Sequence, residues 1–201
     1  EEIRERWCAV CLPLNWALTL TVKLPDIPEE DLADFLQIEA ERGFAYGPED
    51  LMVAHSRFAT AKGEKFATLV GIPRDHVTRL EAVLLAAQLR PITFSIGLTA
   101  LQRADTEAAD GTLALLAGES ALGMQISCGG GVAMLRTIDG AYEQAGAERE
   151  LQTDHIAREL RITLGQLQPD IRDAVKRVRV FGRSEIATQL AEELRGPAQG
   201  W

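Results

Sequence analysis

Hydrophobic and polar residues alternate along the segment 15–24, in which every second residue is apolar. This period of two predicts a β-strand with one buried face. Two prolines follow, and Pro28 suits the first position of a helix, because the N–H that proline lacks would have no helical partner there. Beyond it, the segment 28–42 has apolar residues at helical spacing and ends at Gly43, so we expect an amphipathic helix.

The same two periods divide the rest of the chain into strands and helices. Residues 14–90 have the order strand, helix, strand, strand, helix, which predicts a compact α+β unit. A polar segment, 104–111, then precedes three strands that predict a meander. The predicted fold class is therefore mixed, α+β with α/β features. Further strands are predicted at 7–13, 51–59, 65–72, 91–97, 113–118, 121–128, 132–138 and 178–182, and helices after Pro73, from about Thr153 and after Ser184.

Composition excludes several classes of function. The 201 residues are 46% hydrophobic and carry a net charge of −9, which is typical of a soluble globular chain. An acidic chain repels phosphate backbones, so we expect no nucleic-acid partner. The longest apolar stretches, 82–89 and 113–124, are too short to span a bilayer, so we expect no direct membrane insertion. The sequence begins at Glu1 without methionine, and we therefore expect it to be a fragment.

The three cysteines, Cys8, Cys11 and Cys128, favour a reducing compartment, because a small odd number does not form a disulfide framework. A redox role for the segment 7–13 would need a strand before it and a helix starting at the first cysteine. Only six residues precede Trp7. We expect a buried strand at 7–13 in which Cys8 and Cys11 pack as small apolar residues.

Other candidate sites have structural explanations. The run Gly129–Gly131 lies between two predicted strands and lacks the lysine of a phosphate loop, so we expect a hairpin turn. Five acids could suggest paired catalytic carboxylates, but they fit the solvated face and first turn of one helix. We therefore assign no catalytic residue and no metal ligand. The five acids are Glu29, Glu30, Asp31, Glu39 and Glu41.

One motif suggests a family. Residues 24–29 read L-P-D-I-P-E, and residues 39–41 read E-A-E. In this the chain resembles the PilM-type proteins of type IV pilus assembly, relatives of the FtsA cell-division protein in the actin-like ATPase superfamily. The resemblance implies a fragment of the actin-like fold with an inserted domain. The implied division is 1–13 as the end of the first lobe, 14–103 as the inserted α+β domain and return strand, 104–111 as a linker and 112–201 as a reduced second lobe.

The resemblance also locates a nucleotide site and suggests that it is degenerate. The family hairpin that cradles phosphates contains an aspartate for the metal and the attacking water, and Leu116 stands at that place here. Gly118 and Ser120 remain, Glu119 adds a charge that repels phosphate, and Gly182 is what is left of the base-binding glycines. We therefore expect a vestigial site at Gly118, Ser120 and Gly182, with no cofactor. Mg-ATP bound by the intact protein is the alternative.

The function that the resemblance implies is that of a non-catalytic cytosolic scaffold, peripheral to the inner membrane, in a pilus or related secretion platform. Its expected partner is a short peptide of a membrane-anchored subunit, with a second copy of the chain as a further candidate. Residues of the strand 15–24 and the helix 28–42 are the predicted contacts. The alternatives are an active, polymerising actin-like ATPase and an unrelated α+β enzyme. The predicted contacts are Val22, Leu24, Phe35 and Ile38.

Overall fold

The computed structural model describes residues 6–47, 49–101, 110–145 and 148–195. The strands are β1 (Trp7–Leu12), β2 (Leu18–Lys23), β3 (Leu51–Ala59), β4 (Lys65–Pro73), β5 (Arg90–Ile96), β6 (Gly111–Ala117), β7 (Leu122–Cys128), β8 (Gly131–Ile138), β9 (Tyr142–Ala145), β10 (Glu148–Leu151) and β11 (Val175–Phe181). The α-helices are α1 (Leu32–Gly43), α2 (Arg74–Ala86), α3 (Gly97–Leu101), α4 (Thr153–Gln166), α5 (Pro169–Ala174) and α6 (Ser184–Arg195).

Strands β1 and β5 form a parallel pair, in which Leu12 lies opposite Ile96 at one end. Parallel strands cannot be joined by a tight turn, so the chain between them makes a long crossover. This crossover contains β2, α1, β3, β4 and α2, which means that a second small sheet is inserted between two neighbouring strands. Ile72 of β4 and Val77 of α2 are buried against Leu12 and Ile96, and they hold the insertion to the pair.

The inserted sheet is antiparallel and has the order β2-β4-β3. Its central strand is buried without a break over residues 66–69, because it has a neighbour on each edge and is covered on both faces. Helix α1 covers one face with Leu32, Leu36 and Ala40, whose spacing of four places them on one side of the helix. The strand and helix periods of this segment therefore produce one local core.

The second large sheet has the order β11-β6-β7-β8. Strands β6, β7 and β8 form the predicted antiparallel meander, and β11 joins β6 in parallel. Helices α4 and α6 contribute Leu160 and Leu190 to the core of this sheet, where both are buried against residues such as Leu115 and Met124. This is the largest continuous core among the described residues.

Threonine hydroxyl groups join the inserted sheet to strand β8. Thr19 donates a hydrogen bond to the carbonyl oxygen of Leu135, and Thr68 donates one to that of Ala133, both at 3.2 Å. Strand β8 is an edge strand, and unpaired carbonyl groups at a buried edge would lose their hydrogen bonds to water. The hydroxyl groups therefore do here what a neighbouring strand would do elsewhere.

The predicted hairpin turn at Gly129–Gly131 is confirmed, and it packs against the end of β3. Ala59 donates its N–H to the carbonyl oxygen of Gly129 at 3.1 Å. Gly131 lies so close to β3 that an added Cβ would overlap the carbonyl oxygen of Arg57. This close approach of two backbones requires glycine at positions 129 and 131, and the positive φ of +85° favours glycine at position 130.

Most of the predicted elements are confirmed, with differences of a few residues at their ends. The helix expected from Pro28 begins differently: residues 29–31 form a 3-10 turn closed by a bond from Asp31 N–H to the Pro28 carbonyl oxygen, and α1 follows. Helices α3 and α5 and the β9–β10 hairpin were not predicted. Of the predicted linker, residues 104–109 lie outside the described residues, and the division into domains stays a prediction.

Candidate functional site

The turns that follow β6 and β11 lie side by side. These strands are parallel, and Phe181 lies opposite Leu116, so both strands end at the same end of the sheet. A Cβ added to Gly182 would lie 2.9 Å from the Cβ of Ala117. The structure therefore brings together two parts of the predicted vestigial nucleotide site, namely the turn that contains Gly118 and the glycine after β11.

The β6–β7 turn carries an ion pair at its surface. Gly118 donates its N–H to the carbonyl oxygen of Ala121 at 3.2 Å, and Ser120 lies exposed within the turn. Arg183 Nη2 lies 3.6 Å from Glu119 Oε1, and both side chains are at least 80% exposed. Such a pair contributes little to stability. It does place a positive charge beside Glu119, which offsets part of the repulsion that this glutamate would exert on a phosphate.

Leu116, at the place where the resemblance implies an aspartate, has apolar surroundings. It is half-buried. A Cβ added to Gly123 on the neighbouring strand would lie 3.4 Å from Leu14 Cδ2 and 3.7 Å from the Cβ of Leu116. Within the described ranges, no group of three or more His, Cys, Asp or Glu residues could hold a metal ion. The expectation that this cleft binds no cofactor stays a prediction.

The four predicted peptide contacts are not equally accessible. Val22 is buried in the core between α1 and its sheet, and Leu24 and Phe35 pack against that core. Ile38 differs, since it is 52% exposed on α1. Strand β2, which carries Val22, lies next to β8 through Thr19, as described above. The role of these four residues in binding stays a prediction; Ile38 is exposed, Leu24 and Phe35 are half-buried, and Val22 is buried.

The cysteines are free thiols with different environments. Cys8 is half-buried, Cys11 is exposed and Cys128 is buried. Burial raises the pKa of Cys128 to about 11, because an apolar environment disfavours the thiolate. The expectation that Cys8 and Cys11 pack as apolar thiols in a buried strand is wrong for Cys11, because β1 presents the side chain of Cys11 to solvent.

The acids that could have formed a catalytic pair are dispersed over the surface of the inserted unit. Glu29 pairs with Arg57 at 2.5 Å, and Glu39 pairs with Arg42 at 3.2 Å. Glu41 accepts a hydrogen bond from Gln37 one turn earlier on α1. These contacts are those of an exposed helix and its neighbouring strand, and they agree with the expected solvated face.

Strand β3 has an exposed stretch that periodicity did not predict. All four residues from Met52 to His55 are exposed, including the apolar Met52 (39%) and Val53 (45%). In an edge strand one face is normally buried, so exposure of four consecutive residues means that both faces and the edge are open. Natural proteins rarely leave an apolar strand edge open without a partner.

The backbone groups of Val53 and His55 point away from the sheet. Ala59 N–H bonds outward to the Gly129 carbonyl oxygen, and Arg74 bonds outward to the Leu51 carbonyl oxygen. Because backbone groups alternate along a strand, the groups of Val53 and His55 point the same way. Strand β3 pairs only with β4 among the described strands, so these two residues present unpaired N–H and C=O groups.

An apolar hollow of about 280 Å³ lies beside this edge, between β3, the β1–β5 pair and β8. We call it the lobe-side hollow. Met52 and Ala54 of β3 line it, and its apolar floor contains none of the acidic or basic side chains of the described chain. A strand edge with unpaired backbone groups beside an apolar hollow is the arrangement that captures extended peptides in β-augmentation. The floor residues are Leu12, Ile72, Val77, Phe94, Ile96 and Leu135.

The signal for this edge in the sequence is the unbroken apolar run 51–54, which periodicity interprets only as a buried strand. Its exposure depends on which strands lie next to β3, and that is a property of the tertiary structure. None of the helices in the described part of the chain is both long and apolar enough to cross a membrane.

A parallel strand pair with a small sheet inserted in its crossover, followed by the four-stranded sheet β11-β6-β7-β8, is a mixed α+β fold similar to that of PilM, as the motif at 24–29 predicted. The sequence matches no protein-family model and no curated protein. The fold is shown by solved structures alone.

The chain is similar to the PilM-PilN type IV pilus biogenesis complex, with a TM-score of 0.70 and 17% identity over 96% of this chain and 67% of that one. It is also similar to the cytoplasmic domain of EpsL, an inner membrane component of the type II secretion system of Vibrio cholerae, with a TM-score of 0.56 and 15% identity over 96% and 76% of the two chains. A Bacteroides thetaiotaomicron protein with an actin-like ATPase fold and unknown function matches at a TM-score of 0.44, too low to support an inference.

Proposed function

We propose that this protein is a non-catalytic cytosolic scaffold, peripheral to the inner membrane, that holds a membrane-anchored subunit of a type IV pilus or related secretion platform by a short extended peptide. The observation that carries the proposal is the open edge of β3 beside the lobe-side hollow. The similar structures support it, because one is a complex of two pilus biogenesis proteins and the other belongs to an inner membrane component.

The length of the open edge defines the size of the peptide. At one end of the open edge, Arg74 donates a hydrogen bond to the outward-pointing carbonyl oxygen of Leu51. At the other end, the Gly129–Gly131 turn covers β3 from Arg57 to Ala59. About five residues, 52–56, lie between, which is roughly 17 Å of strand. A peptide strand of similar length fits this edge.

The affinity expected for such a strand is moderate. Val53 and His55 offer up to four backbone hydrogen bonds, each worth about 1 kcal/mol net, and each apolar side chain buried in the hollow contributes about 2 kcal/mol. Association costs at least about 4 kcal/mol. With three buried side chains, the dissociation constant is on the order of 10⁻⁵–10⁻⁴ M. Such an affinity suits a subunit that is already concentrated at the membrane surface.

The absence of catalysis in our proposal depends on Leu116. An actin-like ATPase needs an acidic side chain beside the phosphate turn to position magnesium and water. Leu116 supplies no oxygen, and Leu14 lies on the same apolar side of the sheet. We infer that this cleft is retained for its architecture.

The test is a binding titration with the labelled cytosolic tail of the neighbouring single-span membrane subunit, followed by fluorescence anisotropy. Ala54→Arg places a long charged side chain at the mouth of the lobe-side hollow and should weaken binding at least about tenfold. Ala61→Arg is the matched control, since Ala61 is also exposed but lies in the β3–β4 turn. No binding of the tail at high micromolar concentration, or equal loss in both variants, would refute the proposal.

A further inference from the structure

A second hollow lies on the other side of the same strand. Its volume is about 390 Å³, and it lies between helix α1 and the exposed half of β3. We call it the helix-side hollow. Leu36, Ala40 and Leu69 form its floor, and Tyr46, which is 46% exposed, lies at its margin. The two hollows lie on either side of β3, and Val53 and His55 line both of them.

Alternation along β3 assigns its residues to the two sides. Met52 and Ala54 line only the lobe-side hollow, while Leu51 lines only the helix-side hollow. A strand added at the open edge continues this alternation, so residues opposite Val53 and His55 direct their side chains to the helix side. An added strand therefore places every second side chain in each hollow.

The charges of the two hollows differ. Apart from His55, the lobe-side hollow is lined by uncharged residues, as described above. The helix-side hollow shares His55 and adds the exposed Glu41, and no lysine or arginine is found among the described residues that line it. Two more acids, Glu49 and Asp50, have carboxylate oxygens within 3.4 Å of a Cβ added to Gly47, the residue after Tyr46.

We propose that the peptide held at this edge alternates apolar and basic residues, with the apolar side chains in the lobe-side hollow and the basic ones in the helix-side hollow. A lysine or arginine stem packs along the apolar floor of the helix-side hollow and places its charge at the rim beside Glu41. This inference rests on the proposed function, since it uses the same strand edge. It adds the sequence pattern that the edge selects.

Three synthetic peptides of about eight residues test the pattern. The first alternates Leu and Lys, the second alternates Leu and Glu, and the third has the composition of the first in two blocks. The block peptide controls for attraction between any basic peptide and a chain of net charge −9. We expect the alternating Leu-Lys peptide to bind at least about tenfold more tightly than either of the others.

Glu41→Gln removes the rim charge at constant side-chain size and should weaken binding of the alternating Leu-Lys peptide about two- to fivefold. Glu39→Gln is the matched control: it changes the net charge equally on the same helix, and Glu39 does not line the hollow. Equal affinities for the three peptides, equal effects of the two variants, or no binding of the Leu-Lys peptide would each overturn the inference. The proposed function fails separately, when the partner tail does not bind.

Discussion

The glycine turn between β7 and β8 gives the sharpest stability prediction, because its three residues separate two physical effects. The φ angle of Gly131 lies outside the left-handed region, but a Cβ added to it would overlap the backbone of Arg57. Gly130 has φ +85° and open space around its Cβ position. Gly129 combines both conditions, with φ +54° and an overlap with the backbone of Ala59. Alanine at position 131 therefore measures the steric overlap alone, alanine at position 130 measures the backbone strain alone, and alanine at position 129 measures both together.

The expected magnitudes follow from these contacts. Gly131→Ala must displace the turn from β3, which costs about 1–3 kcal/mol for overpacking and about 1 kcal/mol for each of two hydrogen bonds. These bonds join Ala59 N–H to the Gly129 carbonyl oxygen and Val132 N–H to Ser56 Oγ. The sum is about 3–5 kcal/mol. Gly130→Ala should cost about 1–2 kcal/mol for the left-handed backbone alone, and Gly129→Ala should cost at least as much as Gly131→Ala.

The assay is urea unfolding followed by circular dichroism, with the free energy of unfolding taken from the midpoint and slope. Gly165→Ala is the control of opposite sign. Gly165 lies in α4 with nothing near its Cβ position, so alanine should stabilise the protein by about 0.5–1 kcal/mol. A Gly131→Ala variant no less stable than Gly130→Ala would refute the packing of this turn against β3.

Three further predictions follow. Thr68→Val should lower the free energy of unfolding in urea by about 1–3 kcal/mol, because it leaves the buried carbonyl oxygen of Ala133 with one fewer hydrogen-bond donor. Thr93→Val, at an exposed position, should be nearly neutral. Equal effects of the two substitutions would contradict this prediction. A thiol reagent at pH 8 should modify Cys11 in the folded protein and Cys128 only in denaturant, and modification of Cys128 in the folded protein would refute this. Burial raises the pKa of Cys128, so the protein should lose stability as the pH rises above about 9, where the thiol ionises in the unfolded chain but not in the folded one. Millimolar Mg-ATP should produce neither binding heat in calorimetry nor phosphate release, and tight binding with turnover would establish the ATPase alternative.

Regular periodicity made much of the fold predictable. Strands β3 and β4 and the start of helix α4 were found from their sequence patterns to within a residue or two. Strand β4 is enclosed and α4 buries one continuous side, whereas β3 was found from its apolar run although much of it is exposed. Helices α3 and α5 have five and six residues, too few for a helical period to be visible. Strands β9 and β10 were missed because each has four residues, which is too few to show a clear alternation.

The candidate site was less predictable than the fold. The motif at 24–29 directed attention to β2 and α1, where Val22 proves to be buried. The open edge is on β3, at the other side of the same sheet. Whether the apolar run 51–54 is enclosed or open depends on a neighbouring strand that is distant in sequence, and no local pattern contains that information.

The most direct test of the account is amide hydrogen exchange at Val53 and His55 in the free protein and with the partner tail bound. Their N–H groups point outward from an edge strand, so they should exchange rapidly in the free protein. Bound peptide should slow both amides strongly and leave those of β2 unchanged. A bound tail that protects β2 or α1 while Val53 and His55 keep exchanging rapidly would contradict the account.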